Sequence, residues 1–225
     1  MRFGGINAVD GLDLRLEADE MRCIIGPNGC GKTTLFNLIT GYLVPTAGSV
    51  RFGGRNLAGL PLHTIARAGI VRKFQVPSVF ASLSVTANIR ASLAAGNGSR
   101  PVADILNLVR LSGRRNELAG LLSHGEKQWL ELAMVLATDP RLILLDEPVA
   151  GMTRREKTET GRLIADIRRE RPVAVLVIEH DMSFVESLDC AVSVMMLGRV
   201  IASGGFAEVR QDPRVREAYL EPAGA

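Results

Sequence analysis

Leu12, Leu14 and Leu16 alternate with Asp13, Arg15 and Glu17, a period-two pattern that predicts a half-buried strand. After Asp19-Glu20, the apolar run Cys23-Ile24-Ile25 predicts a short buried strand that ends in a glycine-rich loop. From Lys32 a helix is expected, with Leu35, Leu38 and Ile39 on one face and Gly41 as its stop. Ser49 to Phe52 reads as a strand turned by Gly53-Gly54, and Ile70 to Phe74 as another that leads into Gln75.

The period changes in the middle third. Ser84 to Ala95 and Val102 to Leu111 have helical spacing, broken by Gly96-Asn97-Gly98-Ser99-Arg100-Pro101, and a third helix is predicted over Glu126 to Ala137. The continuous apolar runs Leu142 to Leu145 and Val173 to Ile178 predict strands covered on both faces, as in a parallel sheet. Helices are expected over Arg155 to Glu170 and Asp181 to Leu188, and a terminal hairpin over Cys190 to Ala202. Strand and helix thus alternate at both ends of the chain around a helical insert, with no repeat at solenoid periods.

A length of 225 residues suits one large domain, or one domain with an inserted lobe. Hydrophobic and charged fractions of 47% and 23% exclude disordered and fibrous classes. Lys and Arg total 27 against 24 acidic residues, and a net charge of +3 predicts a solvated surface rather than a nucleic-acid partner. Cys23, Cys30 and Cys190 lie far apart with no CxxC pair, which supports neither a disulfide framework nor a zinc site and suits a reducing cytoplasm. The acidic N-terminal stretch has no apolar run of the signal-peptide kind. The longest apolar runs are strand-length, whereas spanning a bilayer takes about 20 residues, so the chain is not expected to cross a membrane alone.

Gly26-Pro27-Asn28-Gly29-Cys30-Gly31-Lys32-Thr33 satisfies G-x-x-x-x-G-K-[ST], with a predicted strand before it and a helix after it. Glycines let backbone N–H groups converge on phosphate oxygens, and the helix N-terminus adds partial positive charge. Lys32 then reaches the β- and γ-phosphates, the Thr33 hydroxyl ligates Mg²⁺, and Thr34 follows in the first turn. The pattern predicts a nucleoside triphosphate site. Leu142-Ile143-Leu144-Leu145 deliver Asp146-Glu147 to a strand end, where Asp146 can hold Mg²⁺ through water and Glu147 can deprotonate the attacking water. Pro148 disfavours helical backbone at Glu147, which is expected to leave that carboxylate extended from the strand. No N-K-x-D motif is present, which argues against a GTPase. Leu122-Ser123-His124-Gly125-Glu126 contains an S-x-x-E capping box, which accounts for Ser123 and Glu126 but not for Gly125. A helix tip with a serine hydroxyl and a glycine N–H can also bind phosphate, here on the nucleotide of a second copy.

In this order the motifs resemble those of ATP-binding cassette (ABC) proteins over nearly the whole chain. Leu122 to Glu126 is similar to the family signature, usually L-S-G-G-Q, Gln75 to its Mg²⁺- and γ-phosphate-sensing glutamine, and His180 to its switch histidine. Phe3, ahead of Gly4-Gly5, resembles the aromatic that stacks on adenine. The resemblance implies a P-loop NTPase fold: an α/β core with an antiparallel nucleotide-side sheet and an inserted α-helical subdomain. It places the core at about residues 1–75 and 138–225 and the subdomain at 76–137. It further implies ATP and Mg²⁺, head-to-tail pairing with a second ATP-binding subunit, catalytic roles for Glu147, His180 and Gln75, and ATP contacts from Ser123, His124, Gly125 and Glu126. Membrane permease subunits would be partners on the cytoplasmic face of the membrane, with a periplasmic solute-binding protein acting indirectly. Val76-Pro77-Ser78-Val79-Phe80 is the expected docking segment, Val79 and Phe80 either facing the permease or filling the lobe.

Within the family, Met21 to Gly26, Val71 to Gln75 and Pro148 to Met152 resemble importers of branched-chain amino acids. The His124 signature, Lys127-Gln128-Trp129-Leu130-Glu131 behind it and Gly151-Met152-Thr153 resemble most closely the D-type subunit of urea importers. Family members of the DNA-repair kind carry long inserts between phosphate loop and signature; here about 90 residues intervene. The first strand that usually precedes the Phe-Gly-Gly run is expected to be missing, and His124 and Met152 stand where glycine and aspartate are usual.

Overall fold

The computed structural model describes residues 1–73, 78–96, 98–170 and 172–217. A small antiparallel hairpin, β1 (Arg2–Phe3) with β2 (Ile6–Asn7), opens the chain. β3 (Met21–Ile25) runs through the phosphate loop into α1 (Lys32–Ile39). A second hairpin joins β4 (Arg51–Phe52) to β5 (Arg55–Asn56), and α2 (Leu62–Arg67) precedes β6 (Ile70–Lys73). The insert carries α3 (Val85–Ala95), α4 (Val102–Leu108) and α5 (His124–Ala137). Then follow β7 (Leu142–Asp146), α6 (Arg154–Glu170), β8 (Ala174–Ile178), α7 (Met182–Ser187), β9 (Ala191–Met196) and β10 (Arg199–Gly204). Two short helices, α8 (Phe206–Gln211) and α9 (Pro213–Val215), end the described chain.

Six strands form one sheet in the order β10-β9-β3-β8-β7-β6, parallel except for the β9–β10 hairpin. The strands are apolar on both sides because helices cover both faces. Cys23, Ile25, Ile143, Leu145, Val175 and Val177 point into one cluster with α3 to α7, and Ile24, Leu142, Leu144, Leu176 and Ile178 into another with Leu35 and Phe36 of α1. Val85, Ile89, Ile105 and Leu130 of the insert share the first cluster with the sheet, so the lobe is continuous with the core it interrupts.

Leu12 to Leu16 depart from the sequence-based expectation. Their alternation is real in burial, since all three leucines pack half-buried against the second cluster, yet the segment pairs with no strand among the described residues. It runs along a groove of about 960 Å³ whose apolar wall includes Leu35, Leu38, Phe52, Leu57 and Leu176. Alternation reports a half-buried extended segment; a ladder also needs a neighbour in register.

Candidate functional site

β3, β7 and β8 are parallel and adjacent, so their C-terminal ends lie on one edge of the sheet. That edge receives the phosphate loop after β3, Asp146-Glu147 at the end of β7 and Glu179-His180 after β8. Loops at this edge of a parallel sheet are where open α/β folds bind ligands.

The loop is shaped by its backbone. Gly31, the N-cap of α1, has φ 109°, and a Cβ there would lie 2.2 Å from the carbonyl oxygen of Ala8. Among the described residues no side chain caps α1, so its first amides remain available to an anion. The Gly198 N–H donates to the Cys30 carbonyl (2.9 Å), pinning the loop to the β9–β10 turn. Lys32 is buried, and its ammonium donates to the carbonyl oxygens of Gly26 (2.7 Å) and Pro27 (3.0 Å), with Cys30 Sγ at 3.8 Å. A buried cation held among the described residues by neutral acceptors, beside uncapped helix amides, fits a polyphosphate. Thr33 is exposed on the first turn of α1. Thr33 and Asp146 are hard oxygen donors of the kind that suits Mg²⁺ arriving with phosphate oxygens and water.

Asp146 is ion-paired with Arg72, whose other nitrogen donates to Asn37 Oδ1 (2.7 Å) and whose guanidinium lies over the Phe36 ring. Glu147 has φ 47°, a left-handed conformation uncommon outside glycine, so the strand does not simply extend through it as the sequence suggested. Its N–H donates to the Ile178 carbonyl (2.9 Å), and its Oε1 lies 3.5 Å from Nδ1 of His180, an exposed ring. The structure therefore brings together the acidic pair, His180 and the loop. It leaves Phe3 on the exposed β1 hairpin, and Gln75 falls outside the described residues.

Two buried carboxylates organise this edge, and neither was singled out from the sequence. Glu179 accepts from the N–H groups of Val149 (3.3 Å), His180 (3.0 Å) and Asp181 (3.3 Å), tying the turn after β7 to the turn after β8. Burial raises its pKa, while the three backbone donors oppose the rise. Glu131 of α5 lies 3.3 Å from the Lys73 ammonium and accepts from the Ser78 N–H (3.3 Å), so it holds the chain on both sides of residues 74–77. Lys73 also bonds Gln128. Burial lowers the pKa of Lys73 and raises that of Glu131 against their mutual attraction. The available signal was a charged residue inside an otherwise apolar stretch: Lys73 ends a strand and Glu131 sits among Leu130, Leu132 and Ala133.

The tip of α5 forms as its sequence requires. Ser123 Oγ accepts from the Glu126 N–H (3.2 Å), and the Glu126 carboxylate accepts from the Ser123 N–H (2.9 Å). Gly125 has a packing reason as well, because a Cβ there would meet Glu156 Oε1 at 2.5 Å. His124 turns back toward its own chain. Its Nε2 lies 3.1 Å from the Ala150 carbonyl and 3.5 Å from Gln128 Nε2, against Gly151.

Comparison with known proteins gives a consistent result. Residues 9–150 match the ABC transporter family, and residues 199–220 match a family described as branched-chain amino acid ATP-binding cassette transporter. The chain is 38% identical over 243 residues to the high-affinity branched-chain amino acid transport ATP-binding protein BraF of Pseudomonas aeruginosa, covering 99% of this chain and 95% of that one. It is 35% identical to the corresponding protein LivG of Escherichia coli with the same coverage. Among solved structures, the ADP conformation of an ATP-binding cassette of an ABC transporter superposes with TM-score 0.85 at 30% identity, covering 98% of this chain and 95% of that one. These likenesses favour the branched-chain amino acid importers over the urea importers that the signature segment suggested.

Proposed function

This chain belongs to the ATP-binding subunits of ABC transporters, and we propose that it is the ATP-hydrolysing motor of an importer of branched-chain amino acids. The reading is carried by one observation, the delivery of phosphate loop, Asp146-Glu147 and His180 to a single sheet edge. Lys32 leaves the carbonyls of Gly26 and Pro27 for the β- and γ-phosphates of ATP, and the amides from Gly29 to Thr34 cradle the same oxygens. Thr33, Asp146 and Gln75 would hold Mg²⁺, which would supply charge neutralisation at the transferring phosphoryl group. Glu147 takes the proton of the attacking water, and His180, within reach of that carboxylate, orients it and touches the γ-phosphate.

The exposed Ser123 tip completes the site of a second ATP-binding subunit, identical or paralogous, so that ATP is shared between two chains. His124 has its ring against Ala150 and acts on the turn that follows Glu147. ATP then favours the closed pair only through its different affinity for closed and open states. No helix among the described residues is long and apolar enough to cross a membrane, and association with the cytoplasmic face runs through permease subunits. Phe80, Leu83, Leu118 and Leu121 form an exposed apolar patch on the lobe, whereas Val79 packs into the core, so Phe80 is the residue offered for docking.

Glu147→Gln tests the chemistry: the variant should bind ATP, hydrolyse it very poorly and accumulate as a closed dimer. Near-normal turnover would reject the role of Glu147. The substrate is tested by reconstitution with the permease and binding protein, with leucine-stimulated turnover expected. Stimulation by urea alone would restore the second reading, which the resemblance of His124 and Lys127 to Glu131 supports.

A further inference from the structure

Cys23 and Cys190 stand far apart in sequence, but the fold brings their sulfurs to 3.4 Å. Cys23 is in the middle of β3 and fully buried, and Cys190 immediately precedes β9 and is half-buried. The two strands are parallel neighbours, with Arg22 opposite Ala191 and Cys23 opposite Val192, which puts Cys190, two residues before Val192, diagonally across from Cys23. The two sulfurs differ in environment. Arg168 of α6 places positive charge near Cys190, and its Nε is buried without a hydrogen-bond partner among the described residues. The contact with Cys23 and the Arg168 charge lower the Cys190 pKa against its own burial and Asp189, while the Cys190 contact and burial raise that of Cys23. A partly exposed, more acidic thiol beside a fully buried one is the pairing of an attacking and a resolving cysteine.

We propose that Cys190 and Cys23 form a reversible disulfide on exposure to a hydroperoxide, and that the bond weakens the grip of the phosphate loop. The Cys190 thiolate attacks the peroxide oxygen: an S–O bond forms, the O–O bond breaks, and the leaving oxygen takes up a proton as alcohol or water. The Cys23 sulfur then attacks the resulting sulfenic acid and gives up its proton; the S–S bond forms, the S–O bond breaks, and water leaves. Two thiols are oxidised by two electrons and one hydroperoxide is reduced. The sulfurs must close from 3.4 Å to about 2.05 Å. Cys23 is three residues ahead of Gly26, so the displacement reaches the loop directly.

The test exposes the full-length protein to a few equivalents of hydrogen peroxide, alkylates it, and maps its proteolytic peptides without reduction by mass spectrometry. A Cys23–Cys190 cross-link two hydrogens lighter, with Cys30 still alkylated, is expected, together with a severalfold loss of nucleotide affinity. Dithiothreitol should reverse both, and Cys190→Ser should show neither. Full alkylation of both thiols after exposure, or Cys190 ending as a sulfinic acid beside reduced Cys23, overturns the proposal. So does a cross-linked chain that binds nucleotide as tightly as the reduced one. Only the affinity measurement rests on the nucleotide reading; the cross-link stands or falls independently.

Discussion

Replacing Glu179 with Gln removes a charge without removing volume, at the point where two turns of the site are joined. Its carboxylate accepts three backbone N–H groups, from Val149, His180 and Asp181. Hydrogen bonds to a charged acceptor contribute about 1.5–3 kcal/mol each, and the two 3.3 Å contacts belong at the low end. In the amide one oxygen still accepts from His180 and Asp181, but the NH₂ group faces the Val149 N–H. A buried donor left facing a donor costs about 1–3 kcal/mol. Relief from burying a carboxylate offsets part of this. The net expectation is a loss of about 2 kcal/mol, or a Tm lower by roughly 4–8 °C for a chain of this size.

The sign of the pH dependence separates this account from a general loss of packing. Burial raises the Glu179 pKa, so the folded chain binds that proton more tightly than the unfolded chain does. Its contribution to stability is therefore full below the ordinary glutamate value and declines as pH rises through the raised one. Glu179→Gln should flatten that part of the stability profile. Chemical denaturation across mildly acidic to neutral pH measures it, and steady-state ATPase assays give the functional half, with kcat falling more than KM because His180 and the Glu147 turn lose their shared anchor. A variant with wild-type stability, an unchanged pH slope and full kcat would refute the reasoning.

Glu131→Ala removes the carboxylate facing the buried Lys73 ammonium while Gln128 still accepts from it, and should cost about 3 kcal/mol in denaturant titration, whereas replacing both residues with apolar ones should recover most of it. Ser123→Ala removes the acceptor of the Glu126 N–H and should cost about 1 kcal/mol, with weaker ATP-dependent dimerisation in light scattering if the tip also contacts nucleotide. Trp129→Phe removes the 2.9 Å bond to Thr160 Oγ1 and should lower stability by about 1 kcal/mol without altering nucleotide binding measured by calorimetry. Phe80→Asp should abolish capture by the permease while leaving ATP binding intact; undiminished capture would reject the docking surface.

Local signals were legible wherever the cause is local. Ser123 and Glu126 announce their reciprocal cap because both partners lie within one turn, and the glycines before Lys32 announce the loop because only they tolerate its backbone. The apolar runs of β7 and β8 predicted two-sided burial, which the opposite faces of Leu144 and Leu145 bear out. What escaped is set by distant partners. Glu179 reads as an ordinary acid after a strand until Val149 is seen 30 residues away, and Glu131 as a polar helix position until Lys73 and Ser78 close on it. The short helices α2 and α8 are too brief to show a period. Leu12 to Leu16 misled as to ladder pairing because alternation records which side is wet, and says nothing of who lies alongside.

Lys32 gives the molecule a resting berth for its most important cation. The ammonium lies folded onto two carbonyls of its own loop, so under the proposed function a departing product would expose no bare charge to the protein interior. On the proposed function, nucleotide affinity becomes a difference between two docked positions of one side chain. A substitution that spoils the inner berth, without touching any phosphate contact, should therefore make the subunit hold its spent nucleotide longer and run its cycle more slowly.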